Sequence, residues 1–286
     1  MKILITSQKL DELGGSQTFT LTITKELIKQ GHIVEYYSTK HGIISKMLDD
    51  LGAIKRKRSL VYDLVIVNQN TNQKLIQSLK GRKVQIVHGI VQDETPIDKI
   101  EHIAVSQEIA TKYNIKKVIN QPVDLERFTV ETIPSIEKRR VLSLCQGEEA
   151  QEIIESICKA QGWSYMQRAK FKNASSTIEQ DINQADIVIS LGRGVVESLA
   201  CGRPVVVFDT RSYMGNKGDG ALKRGEDILK SQECNFSGRS NNKEIKQDQL
   251  TKEMIDAFNH CWLYYGYRKH AEDNHDVSKI VQEIIR

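Results

Sequence analysis

The residues best suited to chemistry lie close together, at Gly192, Arg193, Gly194, Val195 and Glu197. Backbone N–H groups of a glycine loop at a helix N-terminus can approach a phosphate closely, and an arginine can add a bidentate contact. A glutamate near the start of that helix can accept hydrogen bonds from two ribose hydroxyls, or it can simply stabilise the helix dipole. The pattern predicts a site for a phosphate-bearing ligand. The alternative is a tight turn followed by an exposed arginine.

The segments on either side of this loop are typical of a buried parallel sheet. Residues 187–189 and 204–208 are apolar runs without polar alternation, which fits strands covered on both faces by helices. Ligands of such sheets bind at the carboxyl ends of the strands. We therefore expect the Gly192 loop to lie at a ligand-binding edge.

Strand and helix patterns alternate along most of the chain. Strand patterns at residues 2–6, 33–37, 63–67 and 83–87 alternate with helical ones, and the alternation stops near residues 130–138 and restarts at Arg140. This organisation predicts an α/β fold of two Rossmann-like, doubly wound parallel-sheet domains. We place them at residues 1–130 and 131–265.

The last third of the chain departs from simple alternation. Residues 211–242 are rich in Gly, Asn, Lys and Ser, which predicts a long functional loop with one short helix. A helix is expected from about residue 251 to 270. Residues 266–286 contain a final amphipathic helix with an apolar face to bury, and we expect it to cross back to the first domain.

The composition narrows the class of protein. The 286 residues suffice for two ordinary domains, and no apolar run approaches the ~20 residues of a membrane span. The five cysteines are odd in number and form no C-x-x-C pair, which predicts neither disulfides nor a metal site. Because the N-terminus also lacks the features of a signal peptide, we expect a cytoplasmic protein. The formal net charge of +4 permits an anionic partner without requiring one.

Four stretches of the chain, in this order, resemble glycosyltransferase family 4, whose members have the two-domain GT-B architecture. They are Gly14-Gly15, residues 104–106 with 118–128, the run Glu197-Ser-Leu-Ala-Cys-Gly-Arg-Pro-Val-Val, and residues 267–277. The resemblance implies transfer of a sugar from a nucleotide-diphosphate sugar, most simply a UDP-sugar, to an unidentified acceptor. It also implies a hexosyltransferase-like enzyme of class EC 2.4 that retains the anomeric configuration. Neither a metal nor a further cofactor is implied.

The resemblance also assigns roles. Residues 131–265 would bind the nucleotide sugar and residues 1–130 would receive the acceptor. His88, after the strand at 84–87, would contact the donor sugar or the reacting centre, and Gly14 with Gly15 would approach the donor phosphate. The alternatives are a structural histidine and an ordinary turn. Donor binding would fall to Gly192, Arg193, Gly194, Val195 and Glu197.

Two positions depart from the family pattern. Ile189 stands where the family has an acid eight residues before the glutamate, and residues 144–149 contain neither the arginine nor the lysine that neutralise the donor diphosphate. Arg193 would therefore have to neutralise a larger share of the negative charge of the donor diphosphate. Its Gly-Arg-Gly setting and the Asn-Phe-Ser-Gly-Arg sequence ending at Arg239 resemble a bacterial subgroup, which makes Arg239 a candidate phosphate contact.

The sharpest basic cluster is the run that begins with Lys55 and Arg56 and continues through Lys57 and Arg58. Such runs are usually a solvated face. In an acceptor-side domain the run could instead contact an anionic acceptor, either phospholipid headgroups at a peripheral membrane contact or DNA.

Three other functions fit the same residues. One is a non-catalytic nucleotide-binding protein with a degenerate GT-B site, since the usual bases and one acid are missing. The second is a nucleotide-sugar epimerase, and the third is a glycosyltransferase whose acceptor is modified phage DNA.

Overall fold

The structure is a computed structural model that describes residues 1–69, 72–90, 94–170, 172–211 and 217–286. The chain forms two compact units. The first consists of Met1–Pro122 together with Val277–Arg286, and the second of Val123–Asp276. The boundaries that we placed after residues 130 and 265 from the sequence therefore differ from the ends of these units.

The first unit is a parallel sheet with helices between its strands. Its strands are β1 (Lys2–Leu10), β2 (Ile33–His41), β3 (Ile54–Lys55), β4 (Val61–Asn68), β5 (Lys80–Val87), β6 (Glu101–Ala104) and β7 (Lys117–Val118). Its first helices are α1 (Gly15–Lys29), α2 (Ile43–Asp50), α3 (Gln73–Ser78) and α4 (Gln107–Tyr113). Within the described residues the strand order is β3-β2-β1-β4-β5-β6-β7, so β1 and β4 are central neighbours.

Both faces of this sheet are buried, as the apolar runs predict. On β1, Ile3 and Ile5 pack in one core with Phe19 of α1, whereas Leu4 packs in another with Ile76 of α3. Successive strand residues point to opposite faces, so a strand covered on both sides has no polar positions to alternate.

The second unit contains a mixed sheet. Its strands are β8 (Arg140–Ser143), β9 (Ser164–Gln167), β10 (Ile187–Ser190), β11 (Val205–Phe208), β12 (Lys217–Ala221) and β13 (Lys243–Glu244). Its helices are α5 (Glu148–Gln161), α6 (Ile178–Gln184), α7 (Arg193–Ala200), α8 (Gly225–Glu233), α9 (Gln247–Asn259) and α10 (Tyr264–Asn274). The described strands are ordered β13-β12-β11-β10-β8-β9; β8 to β11 are parallel, and β12 and β13 pair antiparallel.

The helix that we expected from about residue 251 to 270 is two helices. A short 3₁₀ turn at Cys261–Leu263 separates α9 from α10. Phe258 of α9 packs on the face of the sheet that holds Ile189, whereas Tyr267 of α10 packs on the face that holds Val188. One straight helix cannot cover both faces, so the chain must turn between them.

The long loop that we expected at residues 211–242 contains a strand as well as a helix. β12 pairs with β11, and α8 follows it. A Cβ at Gly218 would lie 2.3 Å from the carbonyl oxygen of Val207, so only glycine lets this strand approach its neighbour. The part of the loop at residues 212–216 lies outside the described residues.

The final helix, α11 (Val277–Ile285), belongs to the first unit. Its apolar residues Val277, Ile280, Val281 and Ile284 are buried in the core that contains Ile23 and Leu27 of α1. The chain therefore returns to the first unit at its end, as the amphipathic pattern predicts.

Candidate functional site

The Gly192 loop lies at the carboxyl end of β10, where it turns into α7. Gly192 has φ 61° and ψ −126°, a conformation that favours glycine, and its N–H donates to the carbonyl oxygen of Phe236 at 2.8 Å. A Cβ at Gly194 would lie 2.3 Å from Oγ of Ser190. The backbone therefore favours glycine at residue 192, whereas a side chain at residue 194 would require the Ser190 hydroxyl to move.

Arg193 and Glu197 are partners of each other. Nε of Arg193 donates to Oε1 of Glu197 at 2.7 Å, and only 9% and 12% of their side chains are exposed. The N–H of Val195 donates to the carbonyl oxygen of Gly192 at 3.0 Å, so it is already used within the turn. A ligand that engages either charged side chain must share it with the other.

The loop between β8 and α5 is organised around Asp209, which is fully buried at the end of β11. Its carboxylate accepts from the backbone N–H groups of Gln146 and Gly147, both at 3.0 Å, and from Nε of Arg211 at 2.8 Å. This is the stretch where the resembled family has its arginine and lysine. In this chain an internal carboxylate occupies the N–H groups that a phosphate could use.

Cys145 lies in the same loop but is not suited to act as a nucleophile. The residue is fully buried, and its thiol donates to the carbonyl oxygen of Phe208 at 3.2 Å. Burial, followed by the charge of Asp209, raises the pKa of the Cys145 thiol far above its ordinary value. The reactive thiolate is therefore not formed near neutral pH.

The segment from Asn235 to Arg239 lies beside the Gly192 loop. Asn235 and Phe236 have φ 54° and 50°, and this turn directs the carbonyl oxygen of Phe236 at the N–H of Gly192. Arg239 follows three residues later and is partly exposed. The structure thus brings together the donor-binding candidates of the second unit and the segment that contains Arg239.

A second group of candidates lies at the carboxyl ends of β4 and β5. Nε2 of His88 is hydrogen-bonded to Oδ1 of Asn68, and the His88 ring lies edge-on to Phe19 with ring centroids 4.6 Å apart. Nδ2 of Asn68 donates to the carbonyl oxygen of Ser16 at 2.8 Å. One amide therefore connects His88 to the first turn of α1.

Gly14 and Gly15 lie at the start of that same helix. Gly14 is its N-cap with φ −161°, which is extended backbone that any residue adopts. A Cβ at Gly15 would meet nothing within 4 Å. The fold does not require a glycine at Gly15, and the open space around it suits close approach of a ligand.

Lys55 and Arg56 are not near His88. Lys55 ends β3, the outer strand of the described sheet, with β2, β1 and β4 between it and β5. At about 4.8 Å per strand this separation is roughly 19 Å. Lys55 is exposed, whereas Arg56 donates through Nη2 to the carbonyl oxygen of Ser59 at 2.9 Å.

Sequence reasoning missed Asn68 and Asp209. Each is a buried polar residue at the end of an apolar strand, so the rule that ligands bind at carboxyl ends of strands could have drawn attention to both. The pairing of Arg193 with Glu197 also had a signal, since residues four apart on a helix are neighbours.

Neither a membrane-spanning helix nor a metal-binding cluster is found among the described residues. No helix in these ranges combines the length and the apolar character that a membrane crossing needs. No group of three or more His, Cys, Asp or Glu side chains there is placed to hold a metal ion.

Comparison with known proteins finds likeness in structure but not in sequence. No protein-family model matches the chain, and no curated protein matches it in sequence. The solved structures that resemble it include HepE from Anabaena in complex with UDP and glucose, with 16% identity, a TM-score of 0.60 and coverage of 99% of this chain and 98% of that one.

Two other solved structures are similar. A glycosyltransferase from Rickettsia africae has 16% identity and a TM-score of 0.54, over 100% of this chain and 98% of that one. A protein from Listeria monocytogenes assigned as a UDP-N-acetylglucosamine 2-epimerase has 11% identity and a TM-score of 0.59, over 99% and 94%. At these identities the likeness shows the fold: this chain has the two Rossmann-like domains of the GT-B architecture.

Proposed function

We propose that this protein is a retaining glycosyltransferase of the family 4 kind, which transfers a sugar from a nucleotide-diphosphate sugar, most simply a UDP-sugar, to an acceptor hydroxyl. The observation that carries the proposal is the Gly192 loop at the carboxyl end of β10, with Arg193 and Glu197 paired on the helix that it starts. The likeness to a solved structure that holds UDP and glucose supports this choice of donor.

The chemistry requires stabilisation of the leaving diphosphate. The bond between the anomeric carbon and the diphosphate oxygen breaks while the acceptor oxygen forms a new bond to that carbon, and negative charge accumulates on the leaving group. In the proposal the start of α7 and the guanidinium of Arg193 receive this charge, and Glu197 accepts hydrogen bonds from the ribose hydroxyls. The acceptor hydroxyl gives its proton to the leaving diphosphate, and we assign no protein side chain as a general base.

The β8–α5 loop explains why Arg193 has this role. Asp209 already occupies the N–H groups of Gln146 and Gly147, and Glu148 adds a further acid at the start of α5. A diphosphate placed there would have to compete with Asp209 for these N–H groups, and the neighbouring bases Arg211 and Lys172 already pair with Asp209 and Glu148. The proposal therefore puts the diphosphate at α7.

The test combines binding with turnover. Calorimetry with UDP, GDP and ADP, followed by their sugar derivatives, should show one nucleotide that binds and its sugar derivative that is slowly hydrolysed or transferred. A nucleotide that binds while none of its sugar derivatives turns over would support the non-catalytic alternative. Absence of binding by every nucleotide would contradict both.

The similarity to the Listeria protein supports epimerisation as a second candidate function. An epimerase changes the sugar of its nucleotide donor in the absence of an acceptor and releases no nucleotide. Incubation of the binding donor alone, followed by chromatography of the sugar, distinguishes the two reactions. A changed sugar on an intact nucleotide would replace the transferase proposal.

The acceptor would be anionic if the run that starts at Lys55 and Arg56 contacts it. The separation of this run from His88 along the sheet argues for a contact remote from the reacting centre. Binding to duplex DNA that weakens steeply with salt would favour the phage-DNA alternative, because each released counterion contributes to that slope. Binding to vesicles with anionic lipid, and not to DNA, would favour a lipid acceptor.

A further inference from the structure

Asn68 is a buried amide at the end of β4 with a partner on each side. The residue is fully buried. Its Nδ2 donates to the carbonyl oxygen of Ser16 at 2.8 Å and also contacts Oγ1 of Thr20, and its Oδ1 contacts Nε2 of His88. All of its polar atoms are therefore engaged, between α1 on one side and His88 on the other.

The chemistry of these partners determines which way the amide faces. A carbonyl oxygen only accepts, so the atom of Asn68 that faces Ser16 must be the NH₂ group. The atom that faces His88 is then Oδ1, which also only accepts. Nε2 of His88 must carry a proton, and in the neutral ring Nδ1 holds the lone pair.

A second contact restrains the ring. Phe19 of α1 meets His88 edge-on, with an angle of 79° between the ring planes. Ser16 and Phe19 both belong to the helix that begins directly after Gly14. The position of His88 is therefore tied through Asn68 and Phe19 to the glycine junction of the first unit.

We propose that Asn68 is a positioning residue that holds His88 with Nε2–H toward the protein and so fixes which of the two neutral forms the ring adopts. The part that concerns the reaction rests on the proposed function. A neutral amide suits this role because a carboxylate in the same place would favour the doubly protonated ring, whose Nδ1 can only donate.

The direct test is the protonation state of the His88 ring, measured by NMR on the full chain with ¹⁵N-labelled histidine and with His88→Gln used to assign its signals. In the wild-type protein near neutral pH we expect Nε2 to be protonated and Nδ1 to be unprotonated. A neutral ring with the proton on Nδ1 would overturn the proposal, and this measurement needs no variant of Asn68.

Asn68→Asp sharpens the test. A carboxylate beside Nε2 should move the midpoint of the His88 titration up by at least about one pH unit. If the proposed reaction occurs, its pH–rate profile should shift upward in parallel, with kcat near neutral pH lowered and KM for the donor little changed. Gln85→Glu is a matched control, because Gln85 is an equally buried amide on the neighbouring strand that contacts Thr95 and Ile97 instead.

The outcomes separate the two proposals. A His88 titration that is the same in Asn68→Asp and in wild type would overturn the inference. A shifted titration with an unchanged pH–rate profile would overturn the role of Asn68 in the reaction. If no donor turns over, the proposed function fails, while the NMR measurements still decide whether Asn68 orients His88.

Discussion

Two pairs of glycines stand at strand-to-helix junctions, one in each unit, and the fold depends on them in different ways. Gly192 has a positive φ that favours glycine, and a Cβ at Gly194 would crowd the side chains of Ser190 and Leu144. Gly14 is extended, and Gly15 has open space where a side chain would be. The same sequence signal thus has a structural reason in the second unit, whereas in the first unit neither the backbone conformation of Gly14 nor the surroundings of Gly15 give such a reason.

The two junctions also differ in what surrounds them. The N–H of Gly192 is bound by the carbonyl oxygen of Phe236, a residue distant in sequence, and the charged residues of α7 are paired with each other. Next to Gly15, the carbonyl oxygen of Ser16 accepts from the neutral amide of Asn68, and the hydroxyl of Ser16 accepts from the neutral amide of Gln69. We infer that the second junction supplies charge and the first supplies space and neutral hydrogen bonds.

The largest expected effect tests the charged junction. Glu197→Ala should lower donor affinity by about 100-fold or more, because a carboxylate that binds two hydroxyls loses two hydrogen bonds worth roughly 1.5–3 kcal/mol each. Calorimetry with the nucleotide that binds best measures this effect. An affinity equal to that of wild type would remove the central residue of the proposed site.

A matched control separates binding from loss of an ion pair. Arg268 and Glu272 form a pair on α10 with the same spacing and the same 2.7 Å distance between Nε and Oε1 as Arg193 and Glu197. Glu272→Ala should leave nucleotide affinity unchanged. If both variants weaken binding equally, the effect of Glu197→Ala reflects stability of the unit instead of contact with the ligand.

The next effect concerns stability. Gly192→Ala should lower the free energy of unfolding by about 1–3 kcal/mol, because alanine is strained at φ 61° and ψ −126°. Urea denaturation measures the change. Gly31→Ala is the control. Gly31 lies just after α1, also has a positive φ of 81°, and has no atom within 4 Å of the added Cβ, so this variant measures the cost of positive φ away from the proposed site. A Gly192→Ala variant as stable as wild type would mean that the junction relaxes and that its glycine serves the ligand.

Much of the fold could be predicted from sequence because both sheets are buried. The apolar runs of β1, β4, β10 and β11 and the helical spacing of α1 and α11 follow directly from burial on two faces or one. β12 could not be predicted in this way. Its Lys-Gly-Asp-Gly-Ala sequence has no apolar alternation, and its pairing depends on the space that Gly218 leaves beside Val207.

The candidate site was predictable only where its residues are close in the chain. The Gly192 loop and Glu197 lie within one strand–loop–helix segment, so their types and spacing are informative. The contact of Gly192 with Phe236 and that of His88 with Asn68 join segments far apart in the chain. No periodicity or motif encodes such contacts, which arise only when the sheet is assembled.

A smaller effect tests the open junction. Gly15→Ala should leave the fold intact or stabilise it by up to about 1 kcal/mol, because alanine is the better helix former. If the donor approaches this backbone, its affinity should fall by about 10-fold, equivalent to about 1.4 kcal/mol. Calorimetry and thermal unfolding of the same sample measure both quantities. Unchanged affinity would show that Gly15 is an ordinary helix start.

The smallest expected effect concerns two histidines that contact α8, the helix that precedes Phe236 and its hydrogen bond to the Gly192 loop. Nε2 of His270 and Nε2 of His275 contact Oε1 of Gln232 at 2.8 and 3.0 Å, and Gln232 lies in the last turn of α8, just before Phe236. Burial lowers the pKa of His270 from its ordinary value of 6.5, although the nearby charge of Asp273 acts in the opposite direction. The folded protein therefore favours the neutral ring of His270.

This shift makes the stability of the folded protein sensitive to acid. Because the pKa of His270 is lower in the folded than in the unfolded chain, its contribution to stability is full above pH 6.5 and is lost as the pH falls below that value toward the folded pKa. Urea denaturation near neutral pH and near about pH 5 should show this loss, and His270→Gln, which cannot be protonated, should reduce it. An equal loss in both proteins would place the acid sensitivity at groups other than His270.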